Sequence, residues 1–506
     1  MSKPITSGVD TDKTRILQEV FMARDISMVC GQYVVPWDIL IFMSSFIEGM
    51  RSSFRYKRSE QKRIIGARVV CGQSERVPAL QLEYWKRQFR KSGKLPMINA
   101  LQLTRNAHGT DPRDKVFSAL SFSTMKRTTG NGVKEFEPDY TATVETLYTD
   151  VGIALMEAYG PCALSMAGRR KDEGDPNLPS WVPDLRIHLA APPSGIDVED
   201  IRDGTAARNN AVLDTATGIF QTSLLHITPD RKLELAGVIL DSVNVTTIPG
   251  LNAVGNELEN LSAWVELINS IDIGDIPGQK VLWHTLVEYQ KDSTTKLTDV
   301  DFRNWLILLC CTSFFDLHEH LQTSLQQCFV PDVDEVALET LNENPEHVAS
   351  LIEKAKSLFA ALKIPVENDD TIPHSLHAWF NQQPSLAIAP AEYSPGGSGD
   401  LVYNLAEAWE TVAPLAEPFG KAIQEKDPAR RLMKLKERNA VGTVPEMAQV
   451  GDLLCLIHGA RIPYVLRRRA DGNFTYIGEA YVYGMRPQHD LLNAMMEGRI
   501  EKICIV

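Results

Sequence analysis

The chain has 506 residues, a formal net charge of −13 and a hydrophobic fraction of 44% against 23% charged. This composition fits a folded protein large enough for more than one domain, and its acidity excludes nonspecific nucleic-acid or anionic-membrane binding as the main task. The eight cysteines are scattered through apolar runs without a CxxC pair, so they read as small buried hydrophobes in a reducing compartment rather than disulfides or zinc ligands.

Residues 1–11 are polar and lack the apolar stretch of a secretory leader. The longest apolar runs fall short of the roughly 20 residues a membrane helix needs. The expectation is a soluble cytoplasmic protein with no membrane span. Thr11 or Asp12 is placed to cap a helix carrying Ile16, Leu17, Val20 and Phe21 at helical spacing. Ile26–Cys30 and Tyr33–Val35 flank a Gly31-Gln32 turn as a short hairpin, and Pro36 opens an apolar helix through Trp37 to about Met50. Arg51 to Arg76 is locally basic, a solvated face or a dock for an acidic partner. Lys86–Ala107 is predicted helical.

The densest local signal is Thr110–Leu120. Asp111 can act as an N-cap, Pro112 fits N1, and Asp114 at N3 sets a negative charge at the positive helix end. Val116, Phe117, Ala119 and Leu120 supply the buried stripe. Arg113, between two carboxylates and near His108, is left for an ionic network or an anionic ligand, bridging outward to Asp184 or to a backbone carbonyl.

Ser123–Gly132 reads as a polar loop. Thr141 or Thr143 starts a helix through Leu155 that Gly160-Pro161 ends. Pro179 and Pro183 hold Trp181 in an extended segment, with Trp181 as a packing anchor and Asp184, Arg186 and His188 alternating along one side of a strand. The main boundary falls in Ala190–Asn210. Strands are expected at Ile219–Ile227 and Leu233–Asn244, and helices from Leu251 to about Phe380, most clearly Asp301–Cys328. Gln382–Asp400 is a flexible loop and Leu401–Gln424 a helix. Gly451–Gly484 is predicted as consecutive antiparallel strands. A two-residue Asp471-Gly472 turn would pair Arg468 with Thr475 and Leu466 with Ile477. A short helix over Asp490–Glu497 and an apolar tail, Ile503–Val506, follow.

The fold class expected is α+β: mainly helical, with a small antiparallel β-barrel or sheet made from the C-terminal strands and one near 233–245. Domains are drawn at 1–190, mostly helical; at 191–250 with 441–506, β-rich; and at 251–440, a helical insertion. A ligand site, if present, belongs in a cleft between the helical front and the C-terminal strands.

Standard catalytic machinery is absent from the sequence: no GxSxG, GxGxxG, Walker loop or HExxH. Asp316 and His320 stand i,i+4 on one helix but lack a third ligand, so neither metal nor cofactor is expected. His458, Arg461 and Tyr464 around the Gly459-Ala460 turn, with Glu479 and Tyr481 across the hairpin, could form a polar pocket rim. The candidate ligand site or network is therefore His108, Asp111, Arg113, Asp114, Asp184, His458, Arg461, Tyr464 and Glu479.

Six segments taken together resemble the fungal heterokaryon-incompatibility (HET-domain) proteins. These are Gln18-Glu19-Val20 with Ala23-Arg24 and Cys30-Gly31; Thr110–Leu120; Pro138-Asp139-Tyr140; Leu178–Leu185; Leu233–Asp241; and Gly451-Asp452 through Gly484. The resemblance implies a regulator of nonself recognition or cell death that acts through protein contacts. Family members begin with a strand-rich half carrying Ser-Tyr-x-Trp-Gly and Cys-Ile-Asn-Gln motifs, and this sequence starts at the helix that follows them. No catalytic residue transfers. The alternative is a cofactor-independent cyclase or isomerase of fungal secondary metabolism built on a truncated scaffold. The partners expected are another protein or a small hydrophobic metabolite.

Overall fold

A computed structural model describes residues 14–53, 78–107, 109–129, 132–168, 177–187, 225–247, 257–272, 274–288, 296–316, 345–364, 412, 415–423, 426 and 429–506. Outside these fall His108, His188, the basic stretch beyond Ser53, the expected boundary at 190–210, His320 and the 382–400 loop.

The front of the chain is helical. Helix α1 (Thr14–Met22) buries Leu17, Val20 and Phe21, the stripe its spacing predicts. The hairpin forms as expected from β1 (Ser27–Cys30) and β2 (Tyr33–Pro36), with Gly31 at φ 60° in the turn, and leads into α2 (Trp37–Ser53). The single helix predicted over Lys86–Ala107 is instead two, α3 (Pro78–Ser92) and α4 (Met97–Arg105). Gly93, at φ 75°, leaves the right-handed helical region, and Pro96 restarts the chain at the next N-terminus. Lys86 is buried at the end of α1, where its ammonium donates to the Val20 and Ala23 carbonyls at 2.7 and 3.1 Å. A cation is favoured there because the last carbonyls of a helix have no partner within it. Phe21 stacks on Phe122 at 4.6 Å and meets the edge of Phe89, tying α1 to the following elements.

Helix α5 (Asp114–Leu120) is followed not by a polar loop alone but by a small hairpin, β3 (Lys126–Thr129) and β4 (Gly132–Glu135). Arg127 of β3 reaches Asp150 at 2.5 Å on α6 (Val144–Tyr159). Thr143 caps α6, its hydroxyl accepting from the Thr146 N–H. Gly160 takes φ 61° at the helix end, and the chain continues as a 3-10 helix, Gly160–Met166.

Strand β5 (His226–Ile227) pairs with β6 (Leu233–Thr246), the longest strand. Helices α7 (Glu257–Asn269), α8 (Gly278–Leu286), α9 (Asp299–Asp316) and α10 (Pro345–Ala361) build a second core around Trp264, Trp283, Phe302, Trp305 and Phe419. Thr298 and Asp301 form a reciprocal capping pair at the start of α9. Strands resume with β7 (Arg431–Leu435), ahead of the expected start at 441. They continue as β8 (Val441–Val444), β9 (Leu453–Ile457), β10 (Tyr464–Arg468), β11 (Phe474–Glu479) and β12 (Tyr481–Val482). Helix α11 (Pro487–Met496) and β13 (Glu501–Ile505) follow.

β6 organises this sheet by changing partner along its length. Leu233–Gly237 pairs with β13, Gly237–Ser242 with β9, and Val243–Thr246 with β7. Pairings then run from β13 to β11 to β10 to β9 and return to β6, while β8 and β12 extend the sheet beyond β7. At the exchange point Gly237 allows close approach: a Cβ there would stand 2.6 Å from the Leu456 carbonyl oxygen. The fold class is α+β, but the sheet is mixed rather than antiparallel, because β11 and β13 run parallel at Phe474 and Ile505. β12 pairs with β8 instead of completing a meander with β11.

Next to the turn the β10–β11 register differs by one residue from that expected, and it returns to the expected pairing at Val465 and Tyr464. Arg468 faces Phe474 and Arg467 faces Thr475. The turn holds three residues, closed by the Arg469 N–H donating to the Asn473 carbonyl at 2.9 Å, with Gly472 at φ 82°. That is the three-residue hairpin with a left-handed last position.

The helical block meets the sheet at Glu288. This buried carboxylate accepts from Arg430 Nε and Thr443 Oγ1, each at 2.6 Å, and lies 3.6 Å from Lys426. Nearby, the His284 ring lies 5.6 Å from that of Tyr483. Burial pulls the His284 pKa down to about 4; the Lys280 charge adds to the shift and Asp299 opposes it. His284 is thus neutral in both folded and unfolded chains above pH 6.5. Between pH 6.5 and about 4 only the unfolded chain binds its proton, so stability falls as pH drops through this window. His284→Gln will make the urea midpoint less sensitive to lowering the pH from about 7 to about 5; an equal drop in both proteins would contradict this.

Candidate functional site

The Thr110–Leu120 turn is built differently from its predicted cap. The helix starts at Asp114, and Arg113 stands at the N-cap without a side-chain cap bond. Asp111 accepts from the Arg113 backbone N–H at 3.0 Å, an Asx turn, and pairs in bidentate fashion with the Arg113 guanidinium at 2.8–3.2 Å. This bonding holds the Asp111 carboxyl below the usual carboxylate range. Arg113 also donates to the Tyr140 and Ala142 carbonyls at 2.5 and 3.0 Å, and the Tyr140 hydroxyl donates to Asp114 at 2.6 Å. Of the two destinations expected for Arg113, the backbone carbonyl is the one occupied.

Asp184 pairs instead with Arg186, two residues on, at 2.7–2.8 Å, and is itself buried. It belongs to a tight turn rather than a strand face. Tyr148 connects the two pairs. Its hydroxyl donates to the Pro112 carbonyl at 2.8 Å. Burial raises its pKa first, the Asp184 charge adds to the rise, and Arg186 and Arg105 oppose it. So Asp111 and Asp184 both act on Tyr148, while Arg113 and Asp114 meet Tyr140.

The groups beneath them were not singled out from the sequence. Arg105 is 1% exposed and donates to the Ile187, Met166 and Asp184 carbonyls at 2.7, 2.7 and 3.0 Å. Lys115 is buried, its ammonium donating to the Arg105 carbonyl at 2.7 Å and to that of Ala107. Burial lowers its pKa. Both cations satisfy backbone carbonyls that would otherwise be lost from water. Their only sequence signal was a basic residue beside an otherwise buried helical stripe.

His458, Arg461, Tyr464 and Glu479 lie at the junction of the 3-10 helix and the sheet. Tyr464 is fully buried, 3.3 Å from both the Ser165 hydroxyl and the Pro161 carbonyl, its ring 5.6 Å from Tyr476. The Cys162 thiol reaches the Gly459 carbonyl at 3.4 Å. Burial pushes its pKa up, Arg461 opposing and Glu479 adding to the shift. His458 and Arg461 are partly exposed. At this seam the described residues of the helical front and of the strands pack directly on one another. Trp181, Leu155 and Leu164 share one core with Leu235, Tyr464, Tyr476 and Ile503. Ser180 fastens it: its N–H donates to the Val506 carbonyl at 2.9 Å, and its hydroxyl accepts from the Tyr476 N–H at 2.9 Å. The Trp181 indole donates to the Arg231 carbonyl at 2.9 Å, consistent with an anchor.

The two clusters therefore meet on the same 3-10 helix, with Arg105 at Met166 and Tyr464 at Pro161 and Ser165. Among the described residues no group of three or more His, Cys, Asp or Glu side chains could hold a metal ion, and no helix is long and apolar enough to cross a membrane.

Fold and site together define an α+β protein whose charged motifs brace backbone turns against a mixed C-terminal sheet. Residues 406–491 match the family model of the Het-6 beta-barrel domain, which relates the chain to heterokaryon-incompatibility proteins. The match spans β7 to β12, whereas β6 and β13, which complete the circuit of pairings, lie outside it. No curated protein and no solved structure matches the chain.

Proposed function

We propose that the protein is a heterokaryon-incompatibility-type regulator of nonself recognition or cell death that acts through protein contacts. The match of residues 406–491 to the Het-6 beta-barrel domain carries this reading. The state of the candidate side chains supports it. Arg113, Asp111 and Asp114 are engaged with neighbouring protein groups. Cys162 and Tyr464 have their pKa values raised by burial, which disfavours the anionic forms that nucleophilic or base chemistry would use. Controlled overexpression in a filamentous fungus tests the proposal. Arrested growth or lysis is expected at high protein level. Healthy growth at the same level, with the folded protein detected in extracts, would overturn it.

A further inference from the structure

The exposed large apolar side chains of the described residues are not spread evenly. Val29, Tyr33, Val34, Ile39, Phe42 and Met43 fall within one short stretch, each 38–66% exposed. The rest lie one or two to an element, which is ordinary for a folded surface.

Two periodicities produce the cluster. The β1–β2 hairpin pairs Val29 with Val34 and Met28 with Val35. Alternation puts these two pairs on opposite faces. Met28 packs against the front core, so the Val29–Val34 pair faces outward. In α2 the side chains of Trp37, Leu40 and Ile41 join that core, and Ser44 on the same side is buried. Ile39, Phe42 and Met43, spaced i, i+3, i+4, form a second apolar stripe on the opposite side of the helix. A helix that is apolar on two sides belongs between two layers.

Area and charge point to the occupant. The six side chains expose on the order of 600 Å², at about 150–250 Å² for a whole large side chain. That reaches the upper end of about 300–600 Å² for an apolar patch on a monomer, and it supplies most of the roughly 800 Å² that each partner brings to a standard interface. Between Ser27 and Met43 the only charged residue is Asp38, so the face gives an acidic or basic partner almost nothing to read. It is also where two copies of net charge −13 can approach with least repulsion. A two-fold contact sets the same patch against itself, and apolar stripes match one another without any charge complement. We propose that the protein forms a two-fold dimer in solution through the outer face of the β1–β2 hairpin and the Ile39, Phe42 and Met43 stripe of α2. The proposal does not depend on the regulatory role.

Sedimentation equilibrium of the full chain from roughly 1 to 100 μM provides the test. The mass should rise toward twice that of one chain. Raising NaCl from about 50 to about 500 mM should leave the dimer as tight or tighter, because salt screens the repulsion between acidic copies. Phe42→Glu and Val34→Lys should each weaken association at least tenfold with an unchanged circular-dichroism spectrum, since both side chains are exposed. A monomer at every concentration would overturn the proposal. So would a dimer equally tight in both variants, which would place the contact elsewhere, or one that dissociates in high salt. A monomer that sediments with phosphatidylserine-containing vesicles and loses this in Phe42→Glu would also overturn it, assigning the face to a lipid surface.

Discussion

Arg105→Met will lower stability by about 3–5 kcal/mol, measured as the shift of the urea unfolding curve at neutral pH. The methionine fills much of the stem's volume but leaves the Ile187, Met166 and Asp184 carbonyls without their donors. Each bond from a charged donor is worth about 1.5–3 kcal/mol, offset in part by no longer having to desolvate the guanidinium. Arg105→Lys should recover only a fraction, since a point ammonium cannot serve three divergent carbonyls as the planar fork does. The acceptors lie on segments far from α4 in sequence, so the loss should extend to the docking of the 3-10 helix and the Asp184 turn. A destabilisation below about 1 kcal/mol would mean that water replaces the guanidinium and that the cluster is not a structural clamp.

Gly442→Ala will be nearly as damaging, at about 2–4 kcal/mol, through a different cause. A Cβ at position 442 would overlap the Tyr481 carbonyl oxygen and stand 2.9 Å from its carbon and 3.0 Å from Met433 Cε. The first two obstacles are backbone, so relief requires β12 to move off β8. Gly420→Ala is the matched control. There the added methyl meets only Trp305 Cδ1 at 4.0 Å, and in a helix alanine is favoured over glycine by about 1 kcal/mol. Thermal melts of both variants decide the matter. Similar Tm values for the two would contradict the steric account.

The sequence was most legible where a residue's neighbours in the chain decide its conformation. The hairpin around Gly31-Gln32, the Thr143 cap, the long strand from Leu233 and the strands after Gly451 all appear near their expected positions. The misreadings have local physical reasons. Lys86 to Ala107 keeps helical periodicity across Gly93 and Pro96, and the pattern masked two strong breaks. The Asp471-Gly472 pair pointed to a two-residue turn, but Ala470 joined it, and a shift of one residue re-pairs the ladder from Arg468 to Leu466 until the irregularity between Val465 and Leu466 restores the expected register. Asp184 looked like one of an alternating set, yet its acid–base pair closes within two residues.

Of the candidate site, the charged residues of the front motif were visible as types but not as partners. Arg105 was missed because long-range chain crossings bury it, Lys115 because it turns back onto the preceding helix end, and a polar residue near a helix end looks solvated from sequence alone. The buried Asn99 amide left no trace in the pattern, since an asparagine within an apolar helix carries no sign of whether its amide is satisfied.

The partner exchange along β6 also sets the order of events during synthesis. Glu234 on β6 meets Lys502 on β13 across 268 residues of chain. At about 5–20 residues per second, a ribosome takes roughly 15–50 s to make that interval. Throughout it, the Leu233–Gly237 edge has no β13 beside it, and β9 can pair with the rest of β6 only once residues 453–457 are made. An apolar strand edge left open that long is a template for pairing with other nascent chains. Soluble yield should therefore depend on chaperone occupancy of this stretch and on elongation rate, even where the finished fold is stable.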